Sequence, residues 1–162
     1  MSLFRYLWAP WRKDYIDKKE SGCFICRTSG ESNDEENFVL FRGEKIFAIL
    51  NLYPYNTGHL LIAPFRHVGD LRRMTDAEGL EMWHAAQKLI EVMEKEMRVE
   101  GFNIGFNLGK VSGAGVESHV HMHLVPRWLG DTNFLPVVGG VKVISEELKS
   151  VYSRLRRYFI NG

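Results

Sequence analysis

The segment His119-Val120-His121-Met122-His123-Leu124 places three imidazoles at alternate positions. Successive side chains of a strand point to opposite faces. His119, His121 and His123 therefore share one face, spanning about 13 Å at ~3.3 Å per residue. Val120, Met122 and Leu124 share the other, which is apolar and suited to a core. Packing accounts for one buried histidine more easily than for three alternating ones. A metal held by the three alone is a second reading, since imidazole is a common metal ligand. Phosphate chemistry is the third, and the one adopted here. Neutral imidazole is nucleophilic near neutral pH, and flanking imidazoles can fix its tautomer, shuttle a proton or carry charge. His121, in the middle, is the expected nucleophile. Just upstream, KVSGAGV at 110–116 lets backbone N–H groups approach and cradle an anion. A second constellation is Cys23-Phe-Ile-Cys26, the only two cysteines of the chain. Two buried thiols would explain it, and so would half of a four-ligand zinc site. No thioredoxin-like βαβ pattern surrounds the pair, which argues against a redox role.

The rest of the chain sets bounds on this chemistry. At 162 residues one domain is expected, with a single core large enough to be stable. The 21 basic and 20 acidic residues nearly cancel, so there is no basic face of the kind that binds nucleic acid. A small anionic ligand needs only a few local donors and stays open. The N-terminal MSLFRYLWAPWRKDYI carries charge throughout and does not read as a signal peptide. No apolar run is long enough to span a membrane. The expected compartment is the cytoplasm.

The elements that must position these residues can be read from pattern. Phe38 to Phe41 and Ile46 to Leu50 read as strands joined by a turn at 42–45. A third strand, His59 to Pro64, follows the turn-rich NLYPYNTG of 51–58. Phe102 to Leu108 and His119 to Pro126 supply the fourth and fifth. Thr75 to Arg98 is the clearest helix, opened by a Thr75/Glu78 capping box and ended by Gly101. Its expected buried stripe is Leu80, Trp83, Ala86, Ile90, Met93 and Met97. Ser145 to Ile160 reads as a C-terminal helix capped by Ser145. Residues 27–37 are polar and read as a loop, as do 128–140. Residues 1–20 form an aromatic and basic extension. The expected fold is α+β, an antiparallel sheet of about five strands with the long helix packed on it, in a single domain over 1–162.

HVHMHLV, NLYPYNTGHLLIAPFRH, GFNIGFNLG, VPRWLGDTNF and WAPWRKDYI together resemble the histidine triad (HIT) superfamily of nucleotidyl hydrolases and transferases. The resemblance covers nearly the whole chain, and the last two segments are most similar to its diadenosine tetraphosphate phosphorylase branch. It implies a homodimer acting on an adenine-bearing dinucleoside polyphosphate, with small nucleotides as partners. His121 would attack the α-phosphorus and form a nucleotidyl-histidine. His123 would contact phosphate oxygens and the leaving group, and His59 would orient the triad. Asn51 would meet the ribose and Asn107 the phosphate or leaving group. Gly113, Ala114, Gly115 and Val116 would form the phosphate loop. Relatives often carry Gln and then Ser or Thr where Gly115 and Val116 stand, so backbone N–H groups, or Ser112 or Ser118, must serve here. The resemblance also implies zinc held by Cys23, Cys26, His67 and His119. Water and phosphate both remain open as the second acceptor. A nucleoside phosphoramidase and a nucleotide- or metal-binding regulator with little turnover are the alternatives.

Other residues are weighed against plainer roles. His84 is expected at the surface or half-buried, in a structural role. Trp128 could pack or stack on a base. Glu94, Lys95, Glu96 and Arg98 read as a solvated helix face. Arg154, Arg156 and Arg157 sit late in the last helix, where cations complement its dipole.

Overall fold

The computed structural model describes residues 22–133, 138–139 and 143–160. The aromatic and basic extension of 1–20 lies outside the described residues, as do Phe134 of VPRWLGDTNF and Gly140. Five strands form one sheet: β1 (Val39–Arg42), β2 (Ile46–Leu50), β3 (Leu60–Pro64), β4 (Gly101–Phe106) and β5 (Met122–Arg127). Their order is β1-β2-β3-β5-β4, and every neighbouring pair is antiparallel. The expected sheet is present, with β2 at its expected bounds and the other strand ends displaced by at most three residues. The largest displacement falls on the triad. Its strand begins at Met122, so His119 and His121 lie on the approach to it. There Val120 N–H donates to Val68 O at 2.7 Å in place of a ladder bond.

Both faces of the sheet are covered, which explains why β2 and β3 are buried along their whole length. Ile46, Ala48, Leu50, Leu60, Ile62, Met122 and Leu124 point into one core. That core is closed by α2 (Asp76–Met97) and α3 (Leu148–Arg156). Phe47, Ile49, Leu61 and Ala63 point the other way and meet Ile25 of α1 (Phe24–Gly30) in a second, smaller cluster. The alternation of β5 thus sends Met122 and Leu124 to the helical core, as expected, and His123 to the face of α1. Among the described residues no helix is long and apolar enough to cross a membrane.

Four readings of local structure change. Residues Phe24–Gly30 form a helix, so the front of the expected 27–37 loop is helical. The capping box at Thr75 and Glu78 is present, but α2 ends at Arg98 in the left-handed region (φ 51°), before Gly101. Its buried side is Met82, Ala85, Ala86, Leu89, Val92 and Met93; Leu80 and Trp83 are 58% and 53% exposed. Ala86 and Met93 are thus buried as expected and Ile90 and Met97 pack against the core, but the buried face turns away from Leu80 and Trp83. The last helix starts after Glu147 with no side-chain cap, so Ser145 does not cap it.

Candidate active site

The backbone fixes the tautomer of each triad histidine. His121 Nδ1 lies 2.8 Å from His119 O. A carbonyl only accepts, so Nδ1 carries the proton and Nε2 keeps a free lone pair. His119 Nε2 lies 2.8 Å from Pro64 O, so there the lone pair is on Nδ1. His123 is set through a relay. Tyr55 N–H and Asn51 Nδ2 donate to His59 Nδ1 at 3.0 and 3.2 Å. His59 must then carry its proton on Nε2 and donate to His123 Nδ1 at 2.9 Å. That leaves a proton on His123 Nε2, a buried nitrogen with no partner among the described residues. The site thus offers one imidazole lone pair, on His121, beside one uncommitted N–H, on His123. Their rings stand 4.9 Å apart at 63°.

Burial keeps these rings neutral. It pushes His121 below the ordinary histidine range, against the opposing pull of the His119 carbonyl. It pushes His123 to about 4, with the neighbouring His121 adding to the effect. His119 is lowered chiefly by burial too. A protonated imidazole could not attack, so this desolvation favours the nucleophilic form.

Around the pair, the turn at 51–59 does more than connect strands. Asn51 Oδ1 accepts from Tyr53 N–H at 2.9 Å, and its amide serves His59. Tyr55 stacks on His123 with centroids 5.5 Å apart at 19° and leans on His59 at 4.6 Å. Asn107 Nδ2 donates to the Tyr55 hydroxyl at 3.1 Å. Asn107 is also next to the expected phosphate loop, where a Cβ added to Gly113 would lie 4.0 Å from its Nδ2. Gly113 has φ +88°, a conformation that costs other residues energy. Ser112 Oγ donates within the loop, to Gly109 O at 2.7 Å. Asn56, buried, joins the turn to the sheet end. Its Nδ2 donates to Pro126 O at 2.9 Å and to Asp131 Oδ2 at 2.8 Å. Arg127 also pairs with Asp131.

The second constellation converges next to the first. Ligand atoms of Cys23, Cys26, His67 and His119 all lie within 4.8 Å of one another, a group that could hold a metal ion. Both cysteines are free thiols. Cys23 Sγ and Cys26 Sγ are each 3.4 Å from His119 Nδ1, the nitrogen its tautomer leaves unprotonated. Cys26 Sγ is 3.1 Å from His67 Nδ1. Burial, with Cys23 alongside, pushes the Cys26 thiol above its ordinary range. The 67–69 segment can lie this close to 118–120 because residue 69 is glycine. A Cβ there would sit 3.0 to 3.1 Å from Ser118 backbone atoms.

Four contributors are not legible in the sequence: Tyr55, Asn56, Asp131 and Arg66. Tyr55 lies in the NLYPYNTG stretch, where neither the turn reading nor the resemblance gives it a role. Asn56 and Asp131 are far apart in sequence and show no pairing signal. Arg66 was overlooked beside His67. It makes two bonds to Glu78, at 2.9 and 2.7 Å, and one to Arg73 O at 2.8 Å. His84 is exposed, as expected. Trp128 packs against the helical core and donates its Nε1–H to Met97 O at 3.1 Å. It lines a cavity of about 400 Å³ that contains none of the triad histidines. Glu96 is not simply solvated, because Arg157 and Tyr158 bond to it. Arg154 pairs with Glu146 and Arg156 with Asp34.

Three histidines at alternate positions, two on the approach to β5 and one within it, beside a small-residue loop define the histidine-triad class of domain. The chain belongs to the HIT domain family, whose model matches residues 32–128. It is 40% identical over 152 residues to an AP-4-A phosphorylase of Mycobacterium tuberculosis, covering 88% of this chain and 78% of that one. It is 36% identical over 89 residues to a bis(5'-adenosyl)-triphosphatase of Dictyostelium discoideum, covering 55% of this chain and 59% of that one. A Zn-bound histidine triad family protein from Mycobacterium smegmatis superposes with a TM-score of 0.66 at 24% identity, over 85% of this chain and 91% of that one. At that identity the likeness speaks for the fold alone.

Proposed function

We propose that this chain is a nucleotidyl hydrolase or transferase that cleaves a dinucleoside polyphosphate at its α-phosphate. The observation that carries the proposal is the bond from His121 Nδ1–H to His119 O, which leaves Nε2 as an unprotonated nucleophile in a buried site. His121 Nε2 attacks the α-phosphorus, and the bond to the departing polyphosphate breaks. A nucleotidyl-histidine results. His123 Nε2–H faces the oxygens on which charge develops, and Gly113 to Val116 add backbone donors, a form of stabilisation worth most in a dry site. A second acceptor then attacks the same phosphorus and frees His121. The AP-4-A phosphorylase relative supports phosphate as that acceptor. Asn51 and Trp128 belong to the nucleoside side of the site in this reading, and Asn107 to the leaving-group side.

Zinc fits the Cys23, Cys26, His67 and His119 group, since two thiols and two imidazole nitrogens make a closed tetrahedral set. It would act structurally, tying α1 and the 64–67 segment to the triad. A cytoplasmic homodimer completes the reading. The edge of β4, which pairs only with β5 among the described residues, is compatible with one.

The test is incubation with diadenosine tetraphosphate, with and without inorganic phosphate. Phosphate as acceptor gives ADP and ATP; water gives AMP and ATP. An adenylyl substrate radiolabelled at the α-phosphate should leave an acid-labile label on the protein. His121→Ala should lose both label and turnover while still binding AMP. Near-normal turnover in His121→Ala would overturn the nucleophile assignment, and AMP binding without any turnover in the wild type would point to a regulator.

A further inference from the structure

Tyr55 stands out among the residues for which neither pattern nor resemblance provides a role. It is 46% exposed, yet three of its parts are engaged. Its backbone N–H sets the tautomer of His59. Its ring stacks on His123. Its hydroxyl oxygen accepts from Asn107 Nδ2 at 3.1 Å. A phenol that accepts one bond still has a proton to donate. Asn107 borders Gly113, so this hydroxyl lies between the His59/His123 pair and the loop of 110–116. On the loop itself, Gly115 and Val116 carry no side-chain donor, and the Ser112 hydroxyl is spent on Gly109 O.

We infer that Tyr55 is a substrate-contacting residue, whose hydroxyl, held by Asn107 beside the hydrogen-bonded His59/His123 pair, donates to a phosphate oxygen on the leaving-group side. This rests on the phosphoanhydride-cleaving reading above. It deepens that reading by supplying a side-chain donor where Gly115 and Val116 have none. The ring wall and the donor are separable, because phenylalanine keeps the stacking and loses only the hydroxyl.

Tyr55→Phe should lower kcat/KM for diadenosine tetraphosphate about 10- to 100-fold, the range for a hydrogen bond to a charged group. The loss should fall mainly on kcat, since charge on the leaving phosphate grows towards the transition state. Asn107→Ala should lose less. The double variant should lose no more than about Tyr55→Phe plus a factor of two, since both act through one hydroxyl. ATP affinity, measured by calorimetry, should weaken at least threefold in Tyr55→Phe and stay unchanged for adenosine. If the wild type cleaves the substrate and Tyr55→Phe matches it within twofold, the hydroxyl contact is refuted while the proposed function stands. If the wild type does not cleave it, the proposed function fails. The ATP measurement then decides on Tyr55 alone: unchanged affinity overturns the contact, and a selective loss upholds it.

Discussion

Glu78→Gln removes one charge from a nearly closed site while keeping an amide that can still complete the capping box. Glu78 is 4% exposed. Its carboxylate accepts twice from Arg66 and also from Thr75 N–H and Oγ1, at 2.8 and 3.0 Å. The Arg66 bonds, assisted by those from Thr75, hold the carboxyl at about 2, well below the usual carboxylate range. In the fully coupled limit such a depression stabilises the fold by about 3 kcal/mol at neutral pH. The Arg66 side chain is 48% exposed, and solvent screening brings the figure to about 2 kcal/mol. In a chain of this size that is roughly 4–8 °C in Tm. A depressed carboxyl stabilises fully above its unfolded pKa and loses this as pH falls through its folded pKa. Urea denaturation should therefore separate wild type and Glu78→Gln most above about pH 5, with the gap closing towards about pH 2. A gap that stays constant from about pH 6 to pH 3 would show that the pair acts by packing, and no gap at all would refute its contribution. The pair also bears on the site, because Arg66 sits between Pro64, whose carbonyl orients His119, and His67.

Purified protein should contain about one zinc per chain, as a closed four-ligand site implies; Cys23→Ser should lower this and the Tm, and metal-free wild type of equal stability would count against the site. His123→Ala should slow turnover by about 10²–10⁴-fold, the range for a positioned proton donor, while the nucleotidyl-His121 label still forms; steady-state rates and labelling check both halves. Light scattering at micromolar concentration should give a dimer, and a monomer would remove that part of the reading.

Local chemistry was the most legible part of the sequence. The 119–123 alternation, the apolar Met122/Leu124 partners and the Thr75/Glu78 cap each depend on neighbours in sequence, and the structure contains all three arrangements. Apolar residues stand on more than one side of α2, so periodicity alone does not say that Met82, Ala85 and Leu89, rather than Leu80 and Trp83, face the sheet. Helix α1 was invisible since a seven-residue helix is not stable on its own. It is held by Ile25 in the second core cluster. The tautomers of His119 and His123 were beyond reach as well. They depend on Pro64 O, Tyr55 N–H and His59, all brought in by the β3–β5 pairing and by the turn that precedes β3.

His119 faces two ways, and this joins what would otherwise be separate sites. Its ring nitrogen points at Cys23 and Cys26, while its carbonyl oxygen receives the His121 proton. One residue therefore joins the cysteine cluster to the hydrogen bond that sets the His121 tautomer. A ligand that moves the His119 backbone together with its ring would also move the acceptor that His121 bonds to. Linkage makes such a coupling reciprocal in free energy. Loading the cysteine cluster would alter how tightly nucleotide is held at His121, and nucleotide at His121 would alter the hold on the cluster by the same factor.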